Sequence, residues 1–226
     1  MDKTTFCRLE AYMQSCAGDS AHDMHHIYRV LYYALEIAGA YPETDMDVLI
    51  TACLLHDIGR PEQFADPRVC HAQAGAEKAA VFLQDLGMNS GFIKKVCHCI
   101  RAHRFSKKSP PESLEAKILF DADKLDVVGA MGIARTLQYQ GTMQRPLYTL
   151  TEDGQVSDGS DTAEPSFFQE YKRKLERLYV GFLTEKGKKL ALERQSAAVD
   201  FYNALYAELS HGYRIGKPIL DNHLEQ

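Results

Sequence analysis

Apolar residues in almost every long segment of this chain recur three and four positions apart, and this periodicity constrains the fold more than any other feature. Such spacing places the apolar side chains on one face of an α-helix, whereas strict alternation would indicate a β-strand. We find no internal repeat and no convincing strand, so the sequence predicts an all-α fold. The predicted helices cover residues 4–16, 24–40, 45–57, 70–87, 90–103, 113–128, 129–138, 166–183 and 185–210.

The chain has 226 residues, which is long enough to bury a substantial core without a second domain. We therefore predict a single all-α domain over residues 1–226, which ends in C-terminal helices at 166–210. Between residues 139 and 165 the composition shifts to Gly, Thr, Ser, Asp and Pro, and no periodicity is sustained. We interpret this segment as a flexible insertion or as a lid over a site, because long connections in compact domains tend to be functional or disordered.

Composition narrows the functional classes. The formal net charge of −5 gives no basic field for a nucleic-acid polymer. No apolar run approaches the roughly 20 residues that cross a bilayer, and no apolar signal core follows the first residues. We therefore expect a cytoplasmic protein without a membrane partner. The six cysteines are interpreted as reduced core residues, although a zinc site at 97–99 with residues 70 and 71 is an alternative.

The segment ITACLLHDIGR, residues 50–60, is an apolar helical run that ends in two polar neighbours, His56 and Asp57. A core element that ends in a carboxylate needs a partner for that charge. Seven of the nine histidines lie between positions 22 and 103, but closeness in sequence is not closeness in space. A ligand of a buried metal ion must lie on the apolar face of its helix, and this criterion separates the histidines.

Two histidines meet this criterion, and two of their neighbours do not. His26 shares its helix face with apolar residues, whereas His25 lines up with Arg29 and other surface residues. In the fifth predicted helix His103 extends the apolar stripe, whereas His98 lies with lysines. His26 and His103 are therefore the inward-facing candidates.

The aspartates divide in the same way. Asp123 lies in an apolar stripe, Asp121 lies with two lysines, and Asp126 falls between these faces. An unpaired buried carboxylate would cost several kcal/mol, so Asp123 predicts a compensating cation or several hydrogen bonds. His71 lies close to small residues that permit another group to approach. Asp23 precedes a helix and is assigned to capping.

A lone histidine on an apolar face is more often a hydrogen-bonded core residue than a metal ligand. Here, however, three helices each carry an inward His or Asp, and a fourth ends in the adjacent pair His56 and Asp57. We infer that a buried divalent cation compensates these groups. Mixed imidazole and carboxylate ligands favour Mn, Fe, Co, Ni or Zn, with Mg as an alternative.

The segments HDMHHIYRV, LLHDIGR, HAQAGA, IRAHRFS and DADKLDVVGAMGIAR resemble the HD-domain superfamily of metal-dependent phosphohydrolases, in particular a bacterial subgroup of predicted HD hydrolases. The resemblance covers about residues 20–136, the expected metal-binding core. It implies that one divalent ion is held by His26, His56, Asp57 and Asp123. Members with two ions add two histidines from intervening helices, and His71 and His103 stand in the order for that role.

The resemblance also implies how catalysis would proceed. A metal-activated water attacks phosphorus, so no protein nucleophile is required, and Asp57 bridges the ions if two are bound. The residues assigned to catalysis are Asp57, His103 and Lys124, and those assigned to substrate binding are Arg29, Arg104 and Lys124. A structural ion pair is the alternative for each of these cations. Some nucleotidase members carry a glutamate three residues after the HD aspartate, where this chain has Arg60.

The expected function is therefore hydrolysis of a small phosphorylated substrate: a nucleotide, a dinucleoside polyphosphate or a phosphodiester. A di-iron HD-type oxygenase and a non-catalytic metal- or nucleotide-binding signalling module are the alternatives. The Tyr-rich segment VDFYNALYAEL near the C terminus is a candidate contact in a homo-oligomer.

Overall fold

The all-α prediction is confirmed by a computed structural model that describes residues 1–16, 24–104 and 109–225. Outside the helices, Leu150 and Val156 form an isolated antiparallel bridge. The helices are α1 (Lys3–Cys16), α2 (Met24–Ala38), α3 (Met46–Leu55), α4 (Arg60–Ala65), α5 (His71–Asp85), α6 (Ser90–Ala102), α7 (Leu114–Leu125), α8 (Gly129–Thr142), α9 (Phe167–Arg173), a 3-10 helix (Leu175–Val180), α10 (Glu185–Glu193) and α11 (Gln195–Leu224).

Short polar side chains begin several of these helices. Asp45, Asn89, Ser113 and Ser166 each precede a helix and accept a hydrogen bond from a backbone N–H of its first turn. Such caps satisfy N–H groups that have no partner within the helix. The capping role predicted for Asp23 lies outside the described residues.

The described chain divides into two compact units. The first comprises residues 1–126 and 182–188, and the second comprises 127–181 and 189–226. The prediction of one domain over the whole chain stays a prediction. No helix in the described ranges combines the length and the apolar character that a membrane span requires.

Helix α3 forms the centre of the first unit. It packs against α1, α2, α5, α6 and α7. Seven of its residues are buried, from Val48 to Leu55, so it is apolar on nearly all sides. A helix of that composition is stable only inside a core. His56 and Asp57, which follow its C-terminal end, therefore lie in the interior of this unit.

The second unit has an aromatic core. Phe167, Phe168 and Tyr171 of α9 pack with Ile133 of α8 and with Tyr202 of α11. The rings of Tyr171 and Tyr202 stack with their centroids 4.1 Å apart. Val156 from the connecting segment is also buried in this cluster, so part of the predicted insertion belongs to the core of the second unit.

Several helix boundaries differ from those predicted. The six-residue helix α4 was not expected, and α8 continues to Thr142, into the segment interpreted as an insertion. The predicted helix 166–183 is α9 followed by the 3-10 helix, and the predicted helix 185–210 is interrupted at Arg194. Helix α11 then continues through Pro218 to Leu224, beyond the predicted end at residue 210.

Candidate metal centre

Six side chains from five parts of the first unit converge in two adjacent groups. The first group comprises His26, His56 and Asp123, and the second comprises Asp57, His71 and His103. Within each group the potential ligand atoms all lie within 4.8 Å of one another. All six residues were selected from the sequence, but their role as ligands stays a prediction.

All four imidazoles of these groups are oriented in the same way. In each, Nδ1 lies within 2.6–2.9 Å of an oxygen acceptor. Because these oxygens accept, each Nδ1 carries a proton, and in the neutral ring Nε2 is left with a lone pair. The acceptors are Asp126 Oδ2 for His26, the Cys53 carbonyl for His56, Gln63 Oε1 for His71 and the Ile100 carbonyl for His103.

The Nε2 atoms of these rings converge in the interior of the first unit, where too few hydrogen-bond donors are available to pair with them. The Nε2 atoms of His71 and His103 lie 3.2 Å apart, although both are acceptors in these tautomers. The Nε2 atom of His56 is buried and has no hydrogen-bond partner. Two nitrogens bonded to one tetrahedral Zn ion at 2.0–2.1 Å lie about 3.3 Å apart. The residues present therefore fit a divalent ion, which would supply the missing positive charge.

Asp57 belongs to the second group but also lies close to the first. Its Oδ2 atom is 3.7 Å from the Nε2 atoms of both His26 and His56, and its Oδ1 atom is 3.6 Å from that of His71 and 3.5 Å from that of His103. One carboxylate oxygen thus faces each group, so Asp57 could contribute a ligand atom to both. Arg60 Nε also donates to Oδ1, at 2.9 Å.

Burial and charge put most of these groups in the protonation state that ligands need. Burial lowers the pKa of His56 to about 4 and, with Arg60 nearby, that of His71 to about 3. Both rings are therefore neutral at pH 7. Burial opposes ionisation of Asp57 and Asp123, but the surrounding imidazoles hold the pKa of both carboxyls below the ordinary value. Hydrogen bonds to Asp123 and Asp126 outweigh burial and raise the pKa of His26 to about 9.

Two aspartates differ from expectation, one within α7 and one directly after its last residue. Asp121 was placed among lysines and Asp126 between faces, yet both are completely buried. Asp121 accepts hydrogen bonds from the N–H groups of Leu183 and Thr184 and from the Thr184 hydroxyl. The apolar periodicity missed them because their polar partners lie elsewhere in the chain. Asp123 retains some exposure, with 28% of its side chain accessible.

The cations assigned to substrate binding have different surroundings. Arg29 donates to Asp126 from Nε at 2.6 Å and from Nη2 at 3.1 Å. Lys124 Nζ lies over the Phe120 ring, 4.4 Å from its centroid, and 5.6 Å from that of Phe182. Arg104, which follows His103, is exposed. Their contact with substrate stays a prediction.

The histidines set aside on the sequence lie outside both groups. His25 is exposed. His98 is partly buried, and its Nε2 atom accepts from the Glu112 N–H at 3.3 Å. Gln63, which holds His71, was not singled out, because a glutamine on an unpredicted helix carries no signal of its own. The cysteines of the zinc alternative are free thiols.

The fold and this site define the class: an all-α protein whose core encloses two adjacent groups of imidazoles and carboxylates. The sequence model of the HD domain family matches residues 24–128. A crystal structure of a predicted HD superfamily hydrolase from an uncultured Thermotogales bacterium is 32% identical and has a TM-score of 0.59, and the match covers 91% of this chain and 92% of the other. The chain belongs to the HD-domain superfamily of phosphohydrolases.

Two further relatives come from Bacillus. The uncharacterized protein YpgQ of Bacillus subtilis is 27% identical over 208 residues, which are 89% of this chain and 92% of YpgQ. Its crystal structure has a TM-score of 0.71, with 91% of this chain and 96% of YpgQ covered, and another structure of YpgQ is a complex with ADP. The 3′-5′ exoribonuclease YhaM of Bacillus pumilus is 27% identical over 45% of this chain but only 37% of YhaM.

Proposed function

We propose that this protein is a divalent-metal-dependent phosphohydrolase that acts on a small nucleotide. The observation that carries the proposal is the common orientation of four imidazoles, whose Nε2 atoms converge beside Asp57 and Asp123. When the rings are neutral, such a set of converging acceptors is costly in a protein core unless it binds a cation.

His26, His56 and Asp123 would hold one ion, His71 and His103 a second, and Asp57 would contribute to both. When bound, divalent ions acidify water and neutralise the charge of a phosphoryl group. In this proposal water is the nucleophile, and no side chain of the protein has that role. Each Nδ1 hydrogen bond keeps its ring in the tautomer that presents Nε2, and the buried apolar surroundings strengthen these interactions.

Three facts support a small nucleotide as the substrate class. The relative YpgQ has been crystallised with ADP. The net charge of −5 offers no extended basic surface for a polymer. Lys124 follows a candidate ligand directly and Arg104 follows another, so both lie close in sequence to where phosphate oxygens would bind. Hydrolysis of RNA, the activity in the name of YhaM, is the competing outcome.

The test is a turnover assay on protein purified without chelators or immobilised-metal resin. Its metal content is measured first. ADP, ATP, a dinucleoside tetraphosphate, a generic phosphodiester and an RNA oligonucleotide are then incubated with Mn²⁺, Co²⁺ or Ni²⁺. We expect phosphate or pyrophosphate release from a nucleotide, which chelation abolishes.

His56→Ala removes a ligand and is expected to eliminate this turnover. His98→Ala is the matched control, because His98 lies outside both groups, and its activity should remain that of the wild type. Metal binding without turnover on the whole panel would contradict the proposal and favour a non-catalytic module. Oxygen consumption by iron-loaded protein without phosphate release would contradict it in favour of an oxygenase.

A further inference from the structure

Asp126 is a fully buried carboxylate that belongs to neither group of candidate ligands. Its Oδ2 atom accepts from His26 Nδ1 at 2.7 Å and from Arg29 Nη2 at 3.1 Å, and its Oδ1 atom accepts from Arg29 Nε at 2.6 Å. Burying a carboxylate that is not a candidate ligand costs free energy, so its hydrogen-bond partners must compensate for that cost.

Asp126 differs from the acceptors of the other three imidazoles. Those acceptors are neutral: two backbone carbonyls and the Gln63 amide. A hydrogen bond to a carboxylate is roughly twice as strong as one between neutral groups. It also draws electron density onto the far nitrogen of the ring, which makes that nitrogen a better ligand. His26 is thus held more firmly than its counterparts.

The residues of this network form two pairs, one on each of two packed helices. His26 and Arg29 are three residues apart on α2, and Asp123 and Asp126 are three residues apart at the end of α7, so each pair shares a helix face. His26 Nε2 lies 3.3 Å from Asp123 Oδ1, while Nδ1 of the same ring bonds Asp126. One ring therefore links the ligand aspartate to the buried one.

We propose that Asp126 is a positioning residue, which fixes His26 in the tautomer that presents Nε2 to the metal, while Arg29 balances the charge of Asp126 and is not a substrate contact. The inference rests on the metal-binding part of the proposed function and not on the identity of the substrate.

Asp126→Asn is the informative variant, because asparagine has the same shape but only one acceptor oxygen. Arg29 can only donate, and its shorter contact is the one from Nε at 2.6 Å, so we expect the remaining oxygen to take the position that faces this Nε. The amide NH₂ then faces His26 Nδ1 and donates to it. This forces the proton onto Nε2, and a protonated Nε2 cannot bind a metal ion. We therefore expect a loss of roughly tenfold or more in metal affinity.

The experiment measures Co²⁺ affinity by competition with a chromophoric chelator. Asp121→Asn is the matched control: Asp121 is on the same helix and equally buried, but it bonds Leu183 and Thr184. We expect Asp121→Asn to lower the unfolding temperature yet to bind Co²⁺ as the wild type does. Equal affinity of Asp126→Asn and the wild type, or an equal loss in both variants, would overturn the proposal.

A second measurement on the wild type does not depend on the variant folding. In Zn²⁺-loaded protein labelled with ¹⁵N-histidine, His26 is expected to show a protonated, hydrogen-bonded Nδ1 and a metal-bound Nε2. A His26 coordinated through Nδ1 would contradict the positioning role. A wild type that binds metal but hydrolyses nothing would overturn the proposed function alone, and one that binds no metal would overturn both.

Discussion

At the scale of single residues, the second group of candidate ligands depends on Gln63. Its Oε1 atom accepts from His71 Nδ1 at 2.9 Å and from Arg60 Nη1 at 3.2 Å, while Arg60 Nε bonds Asp57. One amide oxygen thus connects two of the three members of this group. The side chain comes from α4, a helix of six residues, so a single short element supports this half of the site.

We expect Gln63→Leu to weaken one ion selectively. Leucine leaves the His71 Nδ1–H without an acceptor, which costs about 1–3 kcal/mol, and frees the ring to rotate. The metal affinity of the second group should fall roughly tenfold, while the first group, which comprises His26, His56 and Asp123, should keep its affinity. Calorimetric titration with Mn²⁺ should therefore change from two ions per chain to one at moderate concentration.

The control for this variant is Gln73→Leu on α5. Gln73 is exposed and donates to Glu77 rather than to a candidate ligand. Its replacement should leave both the stoichiometry and the affinity unchanged. An unaltered titration of Gln63→Leu would show that His71 does not need this acceptor.

Helix facing identified the candidate ligands because the ligand faces coincide with apolar stripes. That criterion separates His26 from His25 and His103 from His98, and the structure buries the first member of each pair to 7% and 3% exposure. Asp126 could not be found in this way. Its significance depends on contacts with α2, about 100 residues earlier in the chain, which no local sequence pattern reveals.

At the scale of elements, the site depends on a close approach between Gly59, the residue before α4, and the N-terminal part of α5. A Cβ atom added to Gly59 would lie 2.2 Å from the His71 carbonyl oxygen and 2.5 Å from the Gly75 nitrogen. Both are backbone atoms, which cannot move without moving α5. Glycine at this position therefore lets His71 reach Asp57.

We expect Gly59→Ala to destabilise the fold by about 3 kcal/mol, at the upper end of the range for overpacking, and to weaken metal binding because His71 is displaced. Urea unfolding gives the first quantity and Co²⁺ competition the second. Gly212→Ala is the comparison: Gly212 lies within α11 with nothing within 4 Å of the added Cβ. It should be stabilising by about 0.5–1 kcal/mol. Equal stability of Gly59→Ala and the wild type would refute the close-contact argument.

Long amphipathic helices were predictable, but some of their ends were not. Helix α4 is too short for a periodic pattern to emerge, and it follows Gly59 and contains a proline, both of which signal an ending. The extension of α11 was missed for the opposite reason: it contains Pro218 and is largely exposed, so no core-facing stripe marks it. Boundaries of this kind are decided by tertiary contacts rather than by local sequence.

At the scale of the whole molecule, all six candidate ligands belong to one of the two compact units. They come from residues 26–123, whereas the aromatic core of the other unit lies at residues 133–202. An ion that binds only the folded first unit stabilises that unit directly. At a free concentration 100 times the dissociation constant, one site contributes about 2.7 kcal/mol.

We therefore expect Mn²⁺ to slow amide hydrogen exchange in the ligand-bearing helices. Amides of α3 and α7 that exchange through unfolding of the first unit should slow by about 100-fold at that concentration, and amides of α11 should slow less. Mass-spectrometric exchange on the full chain, with and without Mn²⁺, measures both. The same experiment on His56→Ala should show weaker slowing on adding Mn²⁺, because the first group then lacks a ligand and only the second group is intact. Protection that is as large in His56→Ala, or larger in α11 than in α3, would mean that the ion binds somewhere other than this centre.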